Sequence, residues 1–273
     1  MPFGAWGRAW RMTKLSLGVI RKDKELLLLP IISASVMAIL VVAVVAPLTL
    51  FGAVETPAAA LAYIALYFTL AFIAVYFNVC IIAIATIRLK GGEPTIRDGF
   101  AVANRHLGAI AKWSLLVATV GLALRLLRQY LEREAGILGS ILAWATETAW
   151  ALMTFFMIPV LIYEDRPLFE SLRRSGRLFK KTWGETLITG FFLGIIFLLF
   201  ILAGFVPVAL GFYLIVALGN MLLGVGLLVL GVCLIVVLVS MYYAAQGVVI
   251  AALYIYATEG VVPEDFAEAD LRT

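Results

Sequence analysis

A carboxylate deep inside an apolar run is the residue most able to do chemistry within a membrane, and this sequence has one. Glu147 lies in the stretch Trp144-Ala-Thr-Glu-Thr-Ala-Trp150. An acid at such a depth is costly unless paired or neutralised, so it marks either a proton or cation site or a buried ion pair. Arg125, on the neighbouring apolar stretch, is the expected partner, because antiparallel helices would bring the two to similar depths. Two amides, Asn78 and Gln246, also fall in the middle of apolar runs. They either line a polar path or bond across helices. Glu147, Arg125, Asn78 and Gln246 together form a candidate intramembrane polar site.

Other chemistry finds few residues. His106 is the one histidine, so no paired-histidine metal site can form, and its place beside Arg105 suits a surface role better than catalysis. Cys80 and Cys233 both sit in apolar runs and read as small hydrophobes, not as a disulfide or metal site. No phosphate-binding glycine loop or nucleophile elbow is present, and Gly91-Gly92 is a turn signal. The expectation is a protein that is not an enzyme and needs neither cofactor nor metal.

The elements that carry these residues are long apolar helices. Of 273 residues, 64% are hydrophobic and 14% charged. Soluble domains run near 45–50% and about 25%, so this chain has more apolar side chain than a water-soluble core can hold. Leu26–Phe51 is free of charge and would reach about 39 Å as a helix, enough to cross a hydrocarbon core of roughly 30 Å. It is too long for a cleaved signal and reads as an uncleaved first helix. Further spans are expected near 58–87, 106–130 and 135–163, the third being the weakest. The charge-free stretch Thr186–Thr258 holds either two long helices turning at Gly219-Asn220, with Pro207 kinking the first, or three shorter ones.

Basic residues set the expected topology. They cluster before Leu26 (Arg8, Arg11, Lys14, Arg21, Lys22, Lys24), after the second span (Arg88, Lys90, Arg97, Arg105) and after the fourth (Arg166, Arg173, Arg174, Arg177, Lys180, Lys181). The alternate connections carry few, which places the N-terminus and these loops in the cytoplasm of a prokaryotic plasma membrane. Such placement speaks for contact with the anionic inner leaflet and against nucleic acid.

Each basic cluster also reads as an amphipathic helix lying in the membrane interface. In the first, Phe3, Trp6, Trp10, Leu17 and Ile20 oppose Arg8, Arg11 and Lys14. The second, 95–106, offers Thr95 as a cap with Asp98 at the third helical position, and Ile96, Phe100 and Leu107 as its apolar side. The third, 168–183, has Leu168, Leu172 and Phe179 among Arg173, Arg174, Arg177, Lys180 and Lys181, ending at Trp183. Gly190 and Gly194 form a GxxxG that suits close helix approach.

The fold expectation is therefore an all-α, polytopic transmembrane bundle of about six spans in one membrane domain. Residues 1–25 form the interfacial N-terminal helix, 26–87 a first hairpin, 94–163 and 166–258 an interfacial helix with a hairpin each, and 259–273 an acidic tail. The unit recurs three times, either as a true internal repeat or as the common likeness of membrane hairpins.

Four stretches carry a family resemblance: Arg21-Lys-Asp-Lys-Glu-Leu-Leu-Leu-Leu-Pro30, Leu89-Lys-Gly-Gly-Glu-Pro-Thr-Ile-Arg-Asp-Gly-Phe100, Met157-Ile-Pro-Val-Leu-Ile-Tyr-Glu164 and Arg174-Ser-Gly-Arg-Leu-Phe-Lys-Lys-Thr-Trp-Gly-Glu185. Together they resemble an uncharacterised family of bacterial and archaeal six-helix membrane proteins, a domain of unknown function. The likeness covers the chain up to about Glu185 and fades in the last hairpin. It implies six spans and no particular activity. More loosely, the layout resembles the membrane portions attached to some glycerophosphodiester phosphodiesterases, but no catalytic domain is present.

Two functions follow as expectations. One is a non-enzymatic scaffold or accessory subunit, gripping membrane lipids and binding other membrane proteins or a second copy of itself. The other is a small transporter or channel with its polar site around Glu147. An intramembrane enzyme would rest on Glu147 and His106 alone.

Overall fold

The computed structural model describes residues 14–263, and for 183–192 it describes the backbone alone. The chain is all-helical, with no strand among the described residues. Beyond a helical segment at 14–22, the described residues form eight helices. They are α1 (Glu25–Leu50), α2 (Pro57–Leu89), α3 (Ile96–Arg105), α4 (Leu107–Thr154), α5 (Met157–Tyr163), α6 (Leu168–Lys181), α7 (Trp183–Val216) and α8 (Met221–Glu259). Among the described residues, five stretches are long and apolar enough to cross a membrane: α1, α2, the run Leu107–Tyr163, Leu193–Val216 of α7, and α8. The charge-free stretch after Thr186 thus holds two such helices, not three.

Local chemistry explains the boundaries. Pro57 opens α2, where a missing N–H costs nothing, and the Thr56 hydroxyl accepts from the Ala59 backbone N–H at 3.2 Å. Between α7 and α8 the turn falls at Gly219-Asn220, as the sequence suggests. Gly219 has φ +65°, a conformation side chains resist, and the Asn220 side chain accepts from the Leu223 N–H to cap α8. Pro207 sits inside α7, which nevertheless continues to Val216.

The chain forms two compact units. One comprises residues 32–84 and 94–182. Its α4 is a single helix in name only: Gly136 has φ 52° and ψ −124°, outside the helical region. Leu131 and Gly139 come so close that a Cβ on Gly139 would overlap the Leu131 carbonyl. The Trp113 and Trp150 rings stack 6.1 Å apart. A straight helix would hold those two residues some 55 Å apart, so the chain reverses at Gly136. At the far end, α6 packs on α4 and α5. Phe156 and Met157 are fully buried there, and the Phe156 N–H donates to the Ser175 hydroxyl at 3.0 Å.

The other unit comprises, of the described residues, 14–31, 85–93 and 183–263. Here α7 and α8 run antiparallel: Gly204 meets Ile235, Gly211 meets Gly224 and Leu228, and Phe197 meets Tyr242. The two halves of α8 differ. Residues 247–255 are buried all round, whereas Leu222, Val229 and Leu230 are 85%, 58% and 59% exposed. Apolar surface of that extent is untenable in water and ordinary in lipid.

Candidate functional site

The acid at the centre of the candidate polar site is paired. Glu147 accepts two hydrogen bonds from Arg128, the first from Nε to Oε1 at 2.7 Å and the second from Nη2 to Oε2. This is the fork geometry in which a guanidinium holds a carboxylate most firmly. Arg128 Nη1 also reaches Glu132 Oε1 at 3.4 Å, one helical turn away. The reversal at Gly136 makes the meeting possible, since Arg128 and Glu147 lie on either side of it.

The expected partner, Arg125, is therefore corrected to Arg128. Arg125 is exposed and stands outside the pair. Arg128 lies close to a charged cluster, Glu132, Arg133 and Glu134, at the end of the expected third span. Its spacing gave no hint of reaching back to the opposite strand of the reversal. Asn78 is exposed on α2 and Gln246 half-buried on α8. Neither amide has a side-chain hydrogen bond among the described residues.

The basic segments divide their residues between the protein and its surroundings. Trp6, Arg8, Trp10 and Arg11 lie outside the described residues, as does the side chain of Trp183. In α3, the Asp98 carboxylate accepts from the Thr95 N–H and from its hydroxyl, both at 2.8 Å. These bonds hold the Asp98 carboxyl below the ordinary aspartate range, the backbone bond being the larger cause. The face that α3 buries differs from the expected one. Gly99 and Ala103 are buried, with Gly99 against the Cys80 carbonyl and Ile84 of α2, while Ile96 is half-buried and Leu107 exposed. Phe100 stacks on Tyr76, whose hydroxyl donates to Asn104 at 2.8 Å. The signal for this face was present as two small residues one helical turn apart. His106 follows as the C-cap, its Nδ1–H donating to the Val102 carbonyl at 2.8 Å.

In α6, Ser171, Ser175, Leu178 and Phe179 are buried, and Leu168 and Leu172 half-buried, all on one face. Arg174 turns inward: its Nε donates to Glu164 at 2.9 Å, and Arg166 adds a second bond to the same carboxylate at 2.7 Å. Arg173, Arg177, Lys180 and Lys181 are exposed, beside a Phe169 that is 69% exposed.

Of the glycine pair, Gly194 meets open space, since a Cβ there would find nothing within 4 Å. The side-chain surroundings of Gly190 lie outside the description. Close approach of α7 and α8 is made instead by Gly204, Gly211, Gly224 and Gly231. Both cysteines are free, but only Cys80 is buried; Cys233 is exposed.

A chain of several membrane-length apolar helices is a multi-pass membrane protein. It belongs to a family of unknown function, DUF6159, whose match covers residues 58–263. The match does not fade after Glu185, as the sequence resemblance suggests. It runs through α8 and leaves out the segment before Ala58, including Arg21–Pro30. Comparison with curated proteins finds no match.

Proposed function

We propose that the protein is a non-enzymatic scaffold or accessory subunit of a prokaryotic plasma membrane, with six spans, a cytoplasmic N-terminus and amphipathic helices that grip the anionic inner leaflet. The observation that carries this reading is the division of α6. One face packs on the protein, and the other turns Arg173, Arg177 and Lys180 outward beside an exposed phenylalanine. An apolar anchor flanked by cations is the arrangement that a leaflet of anionic headgroups attracts.

The six-span count follows from length. The run Leu107–Tyr163 is 57 residues, about 86 Å as one helix, against a hydrocarbon core of roughly 30 Å. A reversal at Gly136 turns that run into two crossings of ordinary length. The rival reading, a transporter or channel around Glu147, requires the carboxylate to release Arg128 for each ion carried. A two-point pair opposes that exchange.

The test is reconstitution with spin-labelled phosphatidylglycerol and phosphatidylcholine. The protein is expected to immobilise the anionic lipid preferentially, and Arg173→Gln/Arg177→Gln/Lys180→Gln is expected to remove the preference. Equal immobilisation by the unaltered protein, or ion or solute flux across the same vesicles, would overturn the scaffold reading.

A further inference from the structure

The charge on α2 sits at one end, where Arg88 is the helix's sole charged residue. Asn78 precedes it by about 15 Å along the axis, half the depth of a hydrocarbon core of roughly 30 Å. Its amide is exposed and has no hydrogen-bond partner among the described residues. Hydrocarbon offers neither donor nor acceptor, so an amide left there carries its desolvation uncompensated.

Asn78 also ends a continuous stripe. Ala60, Ile64, Tyr67, Ala71, Ala74 and Asn78 follow one another at steps of four, three, four, three and four residues. That spacing keeps them on one side of a helix, and it is the seam along which two helices wind together. All are exposed except Ala71, which is half-buried. One step further on, Ile81 is buried and the open stripe closes. The Tyr67 hydroxyl donates to the Ala118 carbonyl of α4 at 3.0 Å, so the tyrosine is satisfied within the chain. Beside Asn78, the small side chains of Ala71 and Ala74 let a second backbone come close.

We propose that two copies of this chain associate along this stripe of α2, their Asn78 amides bonded to each other across a two-fold axis along the membrane normal. A primary amide is self-complementary, since its NH₂ donates and its carbonyl accepts. Copies inserted in the same direction carry Asn78 at the same depth, so each satisfies the other. A lipid tail in the same place would leave both amides unbonded. A single asparagine in such a seam also fixes register, because a shifted pair strands its amides. The inference rests on α2 crossing the membrane and uses no residue of α6.

The full-length protein would be reconstituted in phosphatidylcholine vesicles. Energy transfer between donor- and acceptor-labelled copies, labelled at the amino terminus, would be followed over a range of protein-to-lipid ratios. A dimer is expected. Asn78→Leu keeps the side chain's size and removes its amide; it should weaken the dimer about tenfold, the combined loss of two amide bonds. Asn78→Gln keeps a donor and an acceptor and should hold most of the affinity. In a Cys80→Ser/Cys233→Ser background, Ala74→Cys should cross-link two copies under copper phenanthroline. Thr69→Cys, exposed on the far side of α2, should not. A monomer at every ratio, equal cross-linking at 69 and 74, or a dimer indifferent to Asn78→Leu would overturn the proposal. So would a lower unfolding temperature for Asn78→Leu in the dilute monomer, which would put the partner of the amide inside the chain. An absent dimer with the α6-dependent lipid preference intact would sink this interface and leave the scaffold reading standing.

Discussion

Arg128 and Glu147 meet through a two-point ion pair although 19 residues separate them in the sequence, on either side of the non-helical Gly136. A straight helix would hold them about 28 Å apart. The pair therefore closes the chain reversal at Gly136, and each charge removes the burden that the other would place on the bilayer.

Breaking one side of such a pair strands a charge, whereas removing both does not. Arg128→Leu and Glu147→Leu are each expected to lower the thermal unfolding temperature in lipid nanodiscs. The double Leu variant should recover most of the loss, giving a large coupling in a double-mutant cycle. Arg125→Leu should leave the midpoint where it was. A cycle without coupling, or an Arg125 effect equal to that of Arg128, would remove the pair from its structural role.

The α7–α8 contact makes a contrast among glycines. A Cβ at Gly211 would lie 2.7 Å from the Gly224 carbonyl oxygen and 2.8 Å from the Leu228 nitrogen, both backbone atoms that cannot swing aside. Gly211→Ala is expected to destabilise by about 1–3 kcal/mol, the usual cost of overpacking. Gly194→Ala, in open space, should be silent or slightly stabilising because alanine is the better helix former. Equal midpoints for the two variants in chemical denaturation would contradict the packing.

Some of this was legible in the sequence for physical reasons. Charge-free runs of membrane length, Pro57 at a helix start, the Gly219-Asn220 turn and the Thr95–Asp98 cap are all local, and local chemistry is written in adjacent residues. Helix contacts are not. The chosen glycine pair, Gly190 and Gly194, matched a familiar spacing. The glycines that approach a partner lie seven apart, Gly204 with Gly211 and Gly224 with Gly231, a period that keeps them on one face of a helix. The partner of Glu147 is not written locally, because the pair closes across the reversal at Gly136. The Asp23–Arg88 and Lys90–Glu259 pairs join segments 65 and 169 residues apart, which no spacing rule connects.

The Asp98 cap gives a pH dependence. Its carboxyl is held below the ordinary aspartate value of about 3.9. A depressed folded value means that the stabilisation is present above the unfolded pKa and is lost as pH falls through the folded one. Amide exchange at residues 96–99 should stay slow at neutral pH and accelerate relative to the rest of α3 under acid, after correction for intrinsic rates. Asp98→Asn should flatten that difference. An acid response identical in the two proteins would show that the cap does not titrate.

The reversal at Gly136 predicts which side of the membrane its flanks reach. If Leu107–Tyr163 crosses twice, residue 137 emerges on the face opposite the basic clusters. In a Cys80→Ser/Cys233→Ser background, Ile137→Cys is then expected to react with an impermeant maleimide added to intact cells. Arg173→Cys and Lys14→Cys should react only after permeabilisation if the basic segments face inward as proposed. Ile137 is 82% exposed, so burial within the protein would not protect it. A cysteine at 137 that resists the reagent from both sides would place that residue in hydrocarbon and sink the six-span reading. Reaction of residue 173 in intact cells would invert the orientation and carry α6, with its outward cations, to the wrong leaflet for the proposed role.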